Sequence, residues 1–458
     1  MRRHIAIISC LILLALIGAG IWLFQPDVAE YPVDAVTGRV PKLDAPHNEI
    51  VPTVEIAKAV GWSNGQKPTP AKGLKVQAFA DKLDHPRWLY RLPNGDILVA
   101  ETNSPPREGG GITGWVMNWL MDKAGAGVPS ANRITLLRDT NGDGVADQRS
   151  VFLTGLNSPF GMELVGNDLY IADTDALLRF LYKDGETKIT AKPEKIVDLP
   201  GGGNHWARNV LYNPDDKSLW VSVGSATNIA DKGMKIEENR AAILEVFPDK
   251  KTFRIWASGI RNANGMAINP VTKRLWAVVN ERDMMGSDMP PDYLTQVDFG
   301  AFFGWPWGYW GGYEDRRVEP RRPDLMQYVM RPDYALGPHV AALGLTFARD
   351  ARLGKAFSHG AFIGEHGSWN RDPVSGYKVV FVPFAANGFP VDGAKPVDVL
   401  SGFLGPDGKA RGRPVGVIDG ANGGLLVADD VGNTIWRVSA AEPSTPAPAA
   451  TSAAKAQD

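Results

Sequence analysis

A histidine and an arginine follow a run of three glycines in the segment GGGNHWAR, residues 201 to 208. Glycines let a backbone approach a ligand closely, which would present the imidazole of His205 to a ligand. A neutral imidazole can accept a proton from a hydroxyl group near neutral pH, so His205 is a candidate general base. The alternative is a core histidine held by a backbone carbonyl.

Several arginines stand beside similar motifs. Arg208 lies in NHWAR, Arg261 in GIRNANG, and Arg411 and Arg413 in ARGRP. Guanidinium groups bind carboxylates through paired, planar hydrogen bonds, so these arginines are candidate binding residues. Each arginine taken singly also fits an ordinary surface charge.

The elements that must bring these residues together are repeats of two strands joined by a turn. Each repeat has a Pro or Asn-Gly type lead, an apolar strand, a turn with Pro, Asp, Asn or Gly, and a second apolar strand. The repeats span residues 85–101, 158–180, 206–225, 261–281, 343–367 and 413–438. Irregular spacing is typical of a propeller whose blades carry different loops. We therefore predict an all-β fold, a six-bladed β-propeller over residues 73–440, rather than a single sandwich.

The polar motifs all lie beside repeat strands and not in distant loops. In a propeller, loops from all blades meet at one face of an axial channel. We therefore expect these motifs to converge there although they are far apart in the chain.

The ends of the chain differ from this central part. Residues 1–28 begin with two arginines and continue with an uncharged run from Ile5 to Phe24, long enough to cross a bilayer as a helix. We expect a transmembrane anchor or, alternatively, a cleaved signal segment; either places the globular part in the periplasm or outside the cell. Residues 29–72 are predicted to be a linker, and residues 441–458, rich in Ala, Pro and Ser, a disordered tail.

Composition limits the partners. The formal net charge is −2 over 458 residues, which gives no global field to attract nucleic acid. The single cysteine, Cys10, lies in the N-terminal apolar run. Disulfides within the chain and zinc sites built from cysteines are therefore excluded.

Two further segments carry alternatives. The loop DTNGDGVAD offers oxygen ligands at alternating positions, as calcium loops do, but it lacks the glutamate of an EF-hand, so a solvated hairpin is the alternative. Its candidate ligands are Asp139, Asn141, Asp143 and Asp147. The apolar segment ITGWVMNWLMDK, residues 112 to 123, fits either a membrane-surface helix or a cap on the propeller.

Read together, these stretches resemble the soluble sugar dehydrogenases that depend on pyrroloquinoline quinone (PQQ), in particular the L-sorbosone dehydrogenase branch. The specific pieces are GGGNHWAR, RNANGMAINP with RLWAVVNERD, PPDYLTQVDFGAFFGWPWGYWG, EHGSWNRDPVSGYKVVFVPF, and RPVGV with LLVADDVGNTIWRVS. The resemblance covers residues 75 to 438. It implies an enzyme that oxidises a sugar or sugar aldehyde, an aldose or an L-sorbosone-like compound, with PQQ and Ca²⁺ as cofactors.

The resemblance also implies roles for individual residues. His205 would take the proton from the C1 hydroxyl of the sugar while hydride moves to C5 of the quinone. Backbone carbonyls of Arg282 and Asp283 would bind calcium. The predicted PQQ contacts are Arg208, Arg261, Asn262, His366, Arg411 and Arg413.

Two other functions stay open. A calcium-dependent propeller lactonase or related hydrolase would need a carboxylate-rich metal site at the centre of the channel, and the arginines argue against it. A propeller without a cofactor would act as a binding module. For a dehydrogenase, the lack of a CxxCH motif excludes a c-type haem in this chain, so electrons would pass to an external acceptor, a cytochrome or a membrane quinone.

Overall fold

The computed structural model describes residues 11–14, 18, 20, 26–49, 52–63, 65–106, 111–350, 352–420 and 423–441. The predicted anchor or signal segment and the predicted tail lie largely outside the described residues. Among the helices that are described, none is both long and apolar enough to span a membrane.

Short antiparallel strands make up most of the described chain. In chain order they are β1 (Thr69–Pro70), β2 (Leu74–Ala80), β3 (Pro86–Arg91), β4 (Ile97–Glu101), β5 (Arg133–Arg138), β6 (Gln148–Thr154), β7 (Met162–Val165), β8 (Asp168–Ala172), β9 (Ala176–Leu181), β10 (Glu194–Asp198), β11 (Val210–Asn213), β12 (Ser218–Val223), β13 (Ala242–Phe247), β14 (Thr252–Ser258), β15 (Ala263–Ile268), β16 (Leu275–Val279), β17 (Pro291–Gln296), β18 (Gly308–Tyr309), β19 (Tyr313–Glu314), β20 (Tyr334–Pro338), β21 (Ala342–Phe347), β22 (Gly360–Glu365), β23 (Lys378–Pro383), β24 (Val397–Ser401), β25 (Pro414–Asp419), β26 (Leu425–Asp429) and β27 (Thr434–Ala440). Helix α1 is Gly111–Ala124, and short 3₁₀ helices are Val33–Val36, Met234–Glu237, Pro248–Lys250, Pro323–Tyr328 and Lys355–Phe357.

These strands form six blades around a ring. Blades 1 to 3 are the sheets β3–β6, β7–β10 and β11–β14; blade 4 is β15, β16, β17 and β20; blade 5 is β21–β24 with β1 at its edge; and blade 6 is β25, β26, β27 and β2. The inner strands β3, β7, β11, β15, β21 and β25 contact their neighbours around the ring. The prediction of a six-bladed propeller is confirmed, and each sequence repeat supplies the two inner strands of one blade.

The ring closes between the two ends of the propeller sequence. Strand β2 pairs with β27, with Leu74 opposite Ala440, so the first long strand becomes the outer strand of the last blade. This pairing buries the edge that β27 would otherwise expose.

The apolar strands form because neighbouring blades bury both of their faces. Every residue of β4, β16 and β26 is buried, as expected for strands written as continuous apolar runs. Trp276 of β16 is fully buried and packs edge-on against Phe347 and Phe384 of blade 5, with ring centroids 6.1 and 5.1 Å away. Contacts of this kind hold the blades at fixed positions around the channel.

The stretch predicted as a linker lies against the propeller. The linker begins beside blade 4, where Glu30 N donates to Asp288 Oδ2 at 2.6 Å. Just before the linker, Ser287 Oγ donates to the Asp27 carbonyl at 2.8 Å. Farther along, Gly38 pairs with Ala335 of β20, and Val60 N donates to the Ala410 carbonyl at 2.8 Å. We call residues 26–63 the N-terminal strap.

All the polar motifs lie at one end of the channel. The inner strands begin at this end and the second strands of the blades finish there, which the antiparallel pairing of each couple requires. We call this end, formed by the loops that enter the inner strands and leave the second strands, the upper face.

Candidate functional site

His205 is fixed in one orientation at the upper face by the end of β12. Its Nδ1 lies 2.8 Å from the Ser225 carbonyl oxygen and 3.1 Å from Ser225 Oγ. A carbonyl only accepts, so Nδ1 carries the proton and Nε2 is left with a free lone pair. Burial, and then the charge of Arg261, hold the pKa of His205 well below its ordinary value. The imidazole is therefore neutral at neutral pH and can accept a proton at Nε2.

The glycine run before His205 is held by two buried arginines. Arg208 donates to the carbonyl of Pro200 at 2.6 Å and to that of His205 at 2.9 Å. Arg240 donates to the carbonyls of Pro200 and Gly202, each at 2.9 Å. Because Arg208 is fully buried on these carbonyls, its guanidinium group supports the loop that presents His205. Its predicted contact with PQQ stays a prediction.

A second cluster surrounds Arg261 at the entrance to blade 4. Its guanidinium group donates to Asn228 Oδ1 at 2.8 Å, to Asp283 Oδ2 at 3.0 Å, and to the Glu281 carbonyl. Asn370 Nδ2, from blade 5, donates to the other oxygen of Asp283 at 2.8 Å. The Asp283 carboxylate therefore joins the loops of two blades.

Asn262 follows Arg261 in the chain and lies next to His205. A Cβ atom added to Gly224 would stand 2.3 Å from Asn262 Oδ1 and 2.6 Å from His205 Cβ. Only a glycine leaves room for both side chains, so Gly224 sets the close approach of the imidazole and the amide.

The third cluster is centred on Asp430, at the end of β26. Its Oδ2 accepts hydrogen bonds from Arg87 at 2.6 Å and from His366 Nε2 at 2.9 Å, and His85 Nε2 lies 3.4 Å away. Blades 1, 5 and 6 meet here around one carboxylate. Arg413 completes the cluster, with Nη1 3.5 Å from His366 Nδ1.

The charges of this cluster follow from burial and from its arginines. Burial lowers the pKa of His85 and of His366 to about 4, so both imidazoles are neutral at neutral pH. Burial alone would raise the pKa of Asp430, but the neighbouring His366, His85 and Arg87 hold it below its ordinary value. Two guanidinium charges and one carboxylate charge leave a net charge of about +1.

The remaining contact of Arg413 is with Tyr377, and its Nε has no acceptor among the described residues. Its Nη2 donates to Tyr377 Oη at 2.8 Å, and the guanidinium carbon lies 4.8 Å from the centre of the Tyr377 ring. The buried Nε atoms of Arg413 and Arg87 have no hydrogen-bond partner among the described residues. Buried donors normally have one, so this region has unused capacity to bind an acceptor.

Trp206 connects the His205 loop to the Asp430 cluster. Its ring lies 5.7 Å from the Arg87 guanidinium carbon and packs edge-on against Phe160 of blade 2, 5.8 Å between centroids. The Trp206 carbonyl also accepts a hydrogen bond from Thr174 Oγ1 at 2.6 Å. Side chains of all six blades thus contribute to one belt around the upper end of the channel.

Two of the predicted site arginines have side-chain contacts outside the three clusters. The side chain of Arg411 lies against the turn at Gly405, where an added Cβ would be 3.1 Å from its Nε. Arg282 is fully buried behind the blade 4 loop and donates to the Pro306 carbonyl at 2.7 Å and to Asp315 at 3.2 Å. In these positions both side chains contact neighbouring loops of the protein.

The acidic loop of residues 139–147 is closed by its own backbone. Asp139 accepts from the amides of Gly142 and Gly144 at 2.7 and 2.8 Å, and Asp147 accepts from Thr140 N at 3.0 Å. In the described part of the chain, no group of three or more His, Cys, Asp or Glu side chains is arranged to hold a metal ion. Calcium binding by this loop stays a prediction.

Sequence reasoning missed several residues of the belt. A signal existed for Arg87, because an arginine stands close to the start of the inner strand in four of the six repeats. Asp430 directly follows the second strand of its repeat, as His366 does in blade 5. The other missed members, identified only by their contacts, are His85, Asn228, His339, Asn370 and Tyr377.

A separate cavity of about 740 Å³ lies at the opposite end of the channel. The inner strands of all six blades line it, and Tyr90, Glu163 and Tyr212 are among its residues. Burial raises the pKa of Glu163 to about 8. None of the predicted site residues lines this cavity, so it is distinct from the candidate site.

Comparisons with known proteins agree with this architecture. Aldose sugar dehydrogenase YliI of Escherichia coli (strain K12) is 23% identical over 318 residues, which cover 65% of this chain and 78% of that protein. The PQQ domain of pyranose dehydrogenase from Coprinopsis cinerea, in its holo form, superposes with a TM-score of 0.65 at 20% identity, over 84% of this chain and 100% of that one. The calcium structure of the family AA12 protein from Trichoderma reesei gives a TM-score of 0.66 at 17% identity, over 85% and 99%.

The family model TrAA12-like matches residues 68–293 and 325–441, most of the propeller. The family resemblance seen in the sequence motifs is confirmed by these matches. On the fold, the belt of arginines and histidines and this match, the chain belongs to the TrAA12-like family.

Proposed function

We propose that this protein is a PQQ-dependent oxidoreductase that oxidises a sugar or sugar aldehyde at the upper face of the propeller. The observation that carries the proposal is that His205, with a free Nε2, shares the upper end of one channel with a cluster of net positive charge that has unpartnered donors. Membership in the TrAA12-like family and the sugar dehydrogenases among the similar proteins support it.

The residues of the Asp430 cluster fit one end of PQQ. This cofactor is an ortho-quinone with three carboxylates, so its site needs fixed cations and hydrogen-bond donors. Arg87 and Arg413 supply both, because Asp430 neutralises only one of the two charges and each Nε lacks a partner among the described residues. His366, beside Arg413, is neutral at neutral pH and does not change the net charge of the cluster.

In the proposed reaction His205 is the general base. Its Nε2 accepts the proton of the substrate hydroxyl, and the Ser225 carbonyl holds the tautomer in which that nitrogen is unprotonated. When bound, PQQ supplies the two-electron acceptor that takes hydride from the carbon bearing this hydroxyl. Trp206 offers an aromatic face next to the base, a type of surface on which sugar rings stack.

Of the two blade 4 carbonyls assigned to calcium by the resemblance, that of Asp283 is already hydrogen-bonded within the protein. The Asp283 carbonyl already accepts hydrogen bonds from Asn228 Nδ2 and Arg317 Nη1, both at 3.1 Å. Its carboxylate is paired with Arg261. Calcium takes six to eight oxygen ligands, water among them, and we assign no step to it.

We also propose that the protein acts in the periplasm, held at the inner membrane by the N-terminal segment, and passes its electrons to a cytochrome or membrane quinone. The uncharged run in residues 1–28 supports attachment to the membrane. The lack of a haem-attachment motif supports an external electron acceptor. The substrate class of the E. coli relative supports an aldose, and L-sorbosone is the alternative sugar substrate.

The test is reconstitution of the purified full chain. PQQ is added with and without Ca²⁺, and the quinone absorbance is followed while aldoses, sorbosone and a lactone are supplied in turn. We expect PQQ to bind and its absorbance to bleach on addition of a sugar. Hydrolysis of the lactone without bleaching would favour the hydrolase, and a spectrum that no sugar changes would favour a binding module.

A further inference from the structure

Helix α1, in the long insertion of blade 1, carries an apolar surface that no described residue covers. Its five consecutive residues Trp115 to Trp119 are all exposed; the tryptophans are 69% and 54% exposed. Consecutive positions point to every side of a helix, so this part of α1 has exposed side chains around its whole circumference. An apolar helix of this kind normally needs an apolar partner, either protein or lipid.

The C-terminal end of α1 is firmly attached. Ala124 is buried, and the Lys123 carbonyl accepts a hydrogen bond from Ala59 N of the N-terminal strap at 2.9 Å. Asn103, at the end of β4, donates to the carbonyls of Ala126 and Val128 at 2.8 and 2.6 Å. The exposed part of the helix therefore has a fixed base.

This base lies beside the candidate site on the upper face. Thr102 N, next to Asn103, donates to the His85 carbonyl at 3.2 Å. Gly125, just after the helix, lies against Val431, where an added Cβ would be 2.9 Å from the valine Cγ2. Val431 directly follows Asp430, so the helix is attached next to the Asp430 cluster.

The N-terminal strap also begins on this face. Asp27 contacts Ser287, in the loop between β16 and β17 at the upper face. The sequence just before it holds the twenty uncharged residues from Ile5 to Phe24, a length that matches the apolar core of a bilayer. The described chain that follows this apolar run therefore begins at the same end of the propeller as the base of α1.

We propose that helix α1 inserts into the interfacial layer of a lipid bilayer and turns the upper face of the propeller toward the membrane. Tryptophan is favoured at this layer, where its ring is buried and its N–H remains hydrated. Lys123, with Nζ 5.9 Å from the Trp119 ring, is placed to meet anionic lipid headgroups. A bilayer fits better than a soluble partner because the chain brings its own bilayer-length segment to this face. The inference does not depend on the proposed reaction.

The test uses the full chain, with Cys10→Ser and Met117→Cys, labelled at the new thiol with an environment-sensitive fluorophore. Vesicles contain phosphatidylcholine and phosphatidylglycerol at three to one, with or without brominated acyl chains that quench on contact. The matched control is Leu181→Cys, which is 59% exposed at the end of β9, on the opposite face. We expect brominated lipid to quench the label at position 117 at least three times more strongly than the label at 181. Equal quenching would overturn the proposal.

A second variant separates docking from simple tethering by the N-terminal segment. Adding Trp115→Glu and Trp119→Glu should remove most of the quenching at position 117 while the thermal unfolding midpoint stays unchanged, because both side chains are exposed. Shielding of the label that rises with protein concentration without lipid would show that a second copy covers the helix, and would overturn the proposal. Docking in a sample that fails to bind PQQ would reject the proposed function and leave this inference standing.

Discussion

His205 Nδ1 and the carbonyl oxygen of Ser225 lie 2.8 Å apart, and this contact decides which ring nitrogen is available for chemistry. Because the carbonyl can only accept, Nδ1 must donate, and Nε2 is the basic atom. Ser225 is itself held, since its Oγ donates to the Thr227 carbonyl at 2.7 Å. The loop therefore fixes the tautomer before any substrate arrives.

Replacing this base should abolish most of the turnover and leave cofactor binding intact. We expect His205→Gln to lower kcat by about 10²- to 10⁴-fold, the usual contribution of a general base, with little change in PQQ affinity. Stopped-flow reduction of reconstituted enzyme measures this rate. His359→Gln, an exposed position before β22, is the control and should retain full activity. Equal activity of both variants would remove His205 from the mechanism.

The two arginines of the RGR motif should differ in their effect on cofactor binding. Arg413 lies in the Asp430 cluster with an unpartnered Nε, whereas Arg411 lies against the turn at Gly405. Loss of one charge-assisted contact costs about 1.5 to 3 kcal/mol, so Arg413→Gln should weaken PQQ binding about 10- to 100-fold. Arg411→Gln should change it less than threefold. Titration by fluorescence quenching gives both constants, and the reverse order would refute the assignment.

Removing the carboxylate from the Asp430 cluster should destabilise the propeller. Asp430→Asn leaves the Arg87 guanidinium buried without its counter-charge, which typically costs about 3 to 5 kcal/mol. Denaturant unfolding measures the loss. In the double variant with Arg87→Met the second substitution should recover part of it, because the cluster then carries the single excess positive charge of the unsubstituted protein, now on Arg413. If the two substitutions prove simply additive, the pair does not act as a unit.

Acid should destabilise the folded state partly through His85. Its pKa is about 4 in the folded protein and near 6.5 when unfolded. As pH falls below 6.5, only the unfolded chain takes up the proton, so the free energy of unfolding decreases. Between pH 7.5 and 5 this amounts to about 2 kcal/mol for one such histidine. His85→Asn should reduce the fall over this range by about that amount, measured by urea unfolding at both pH values; an unchanged fall would mean that His85 titrates normally.

The sequence repeats predicted the blades because a strand, a turn and a second strand form a local pattern. The same reasoning could not find the partnership of Arg87 and Asp430, which lie 343 residues apart in the chain and meet only when the ring closes. Nor could it separate Arg208 from Arg413. Both precede an inner strand, but the guanidinium group of Arg208 donates to the Pro200 carbonyl, whereas that of Arg413 donates to Tyr377 Oη. The repeats therefore predicted where the upper face lies. The direction of each guanidinium group depends on tertiary contacts, which the motif does not encode.

The spacing between His205 and Asn262 depends on a missing side chain at Gly224. An added Cβ would stand within 2.6 Å of both residues, too close for any real contact, so one of them must move. Misplacing a catalytic group by about 1 Å can cost about 100-fold in rate. We expect Gly224→Ala to lower kcat by that order while the chain still folds, because the glycine has an ordinary backbone conformation and the strain is confined to the loop.

Gly201→Ala is the matched comparison for this last substitution. Gly201 lies in the same glycine run as the His205 loop, also has an ordinary backbone conformation, and its added Cβ would meet only Asp175 Cβ, at 3.2 Å. This variant should keep most of the activity, since no site residue has to move. Single-turnover rates of the two variants decide the matter: a slow Gly224→Ala with an unchanged melting temperature places the defect in the position of the base, whereas equal rates would show that the imidazole and the amide need no fixed spacing.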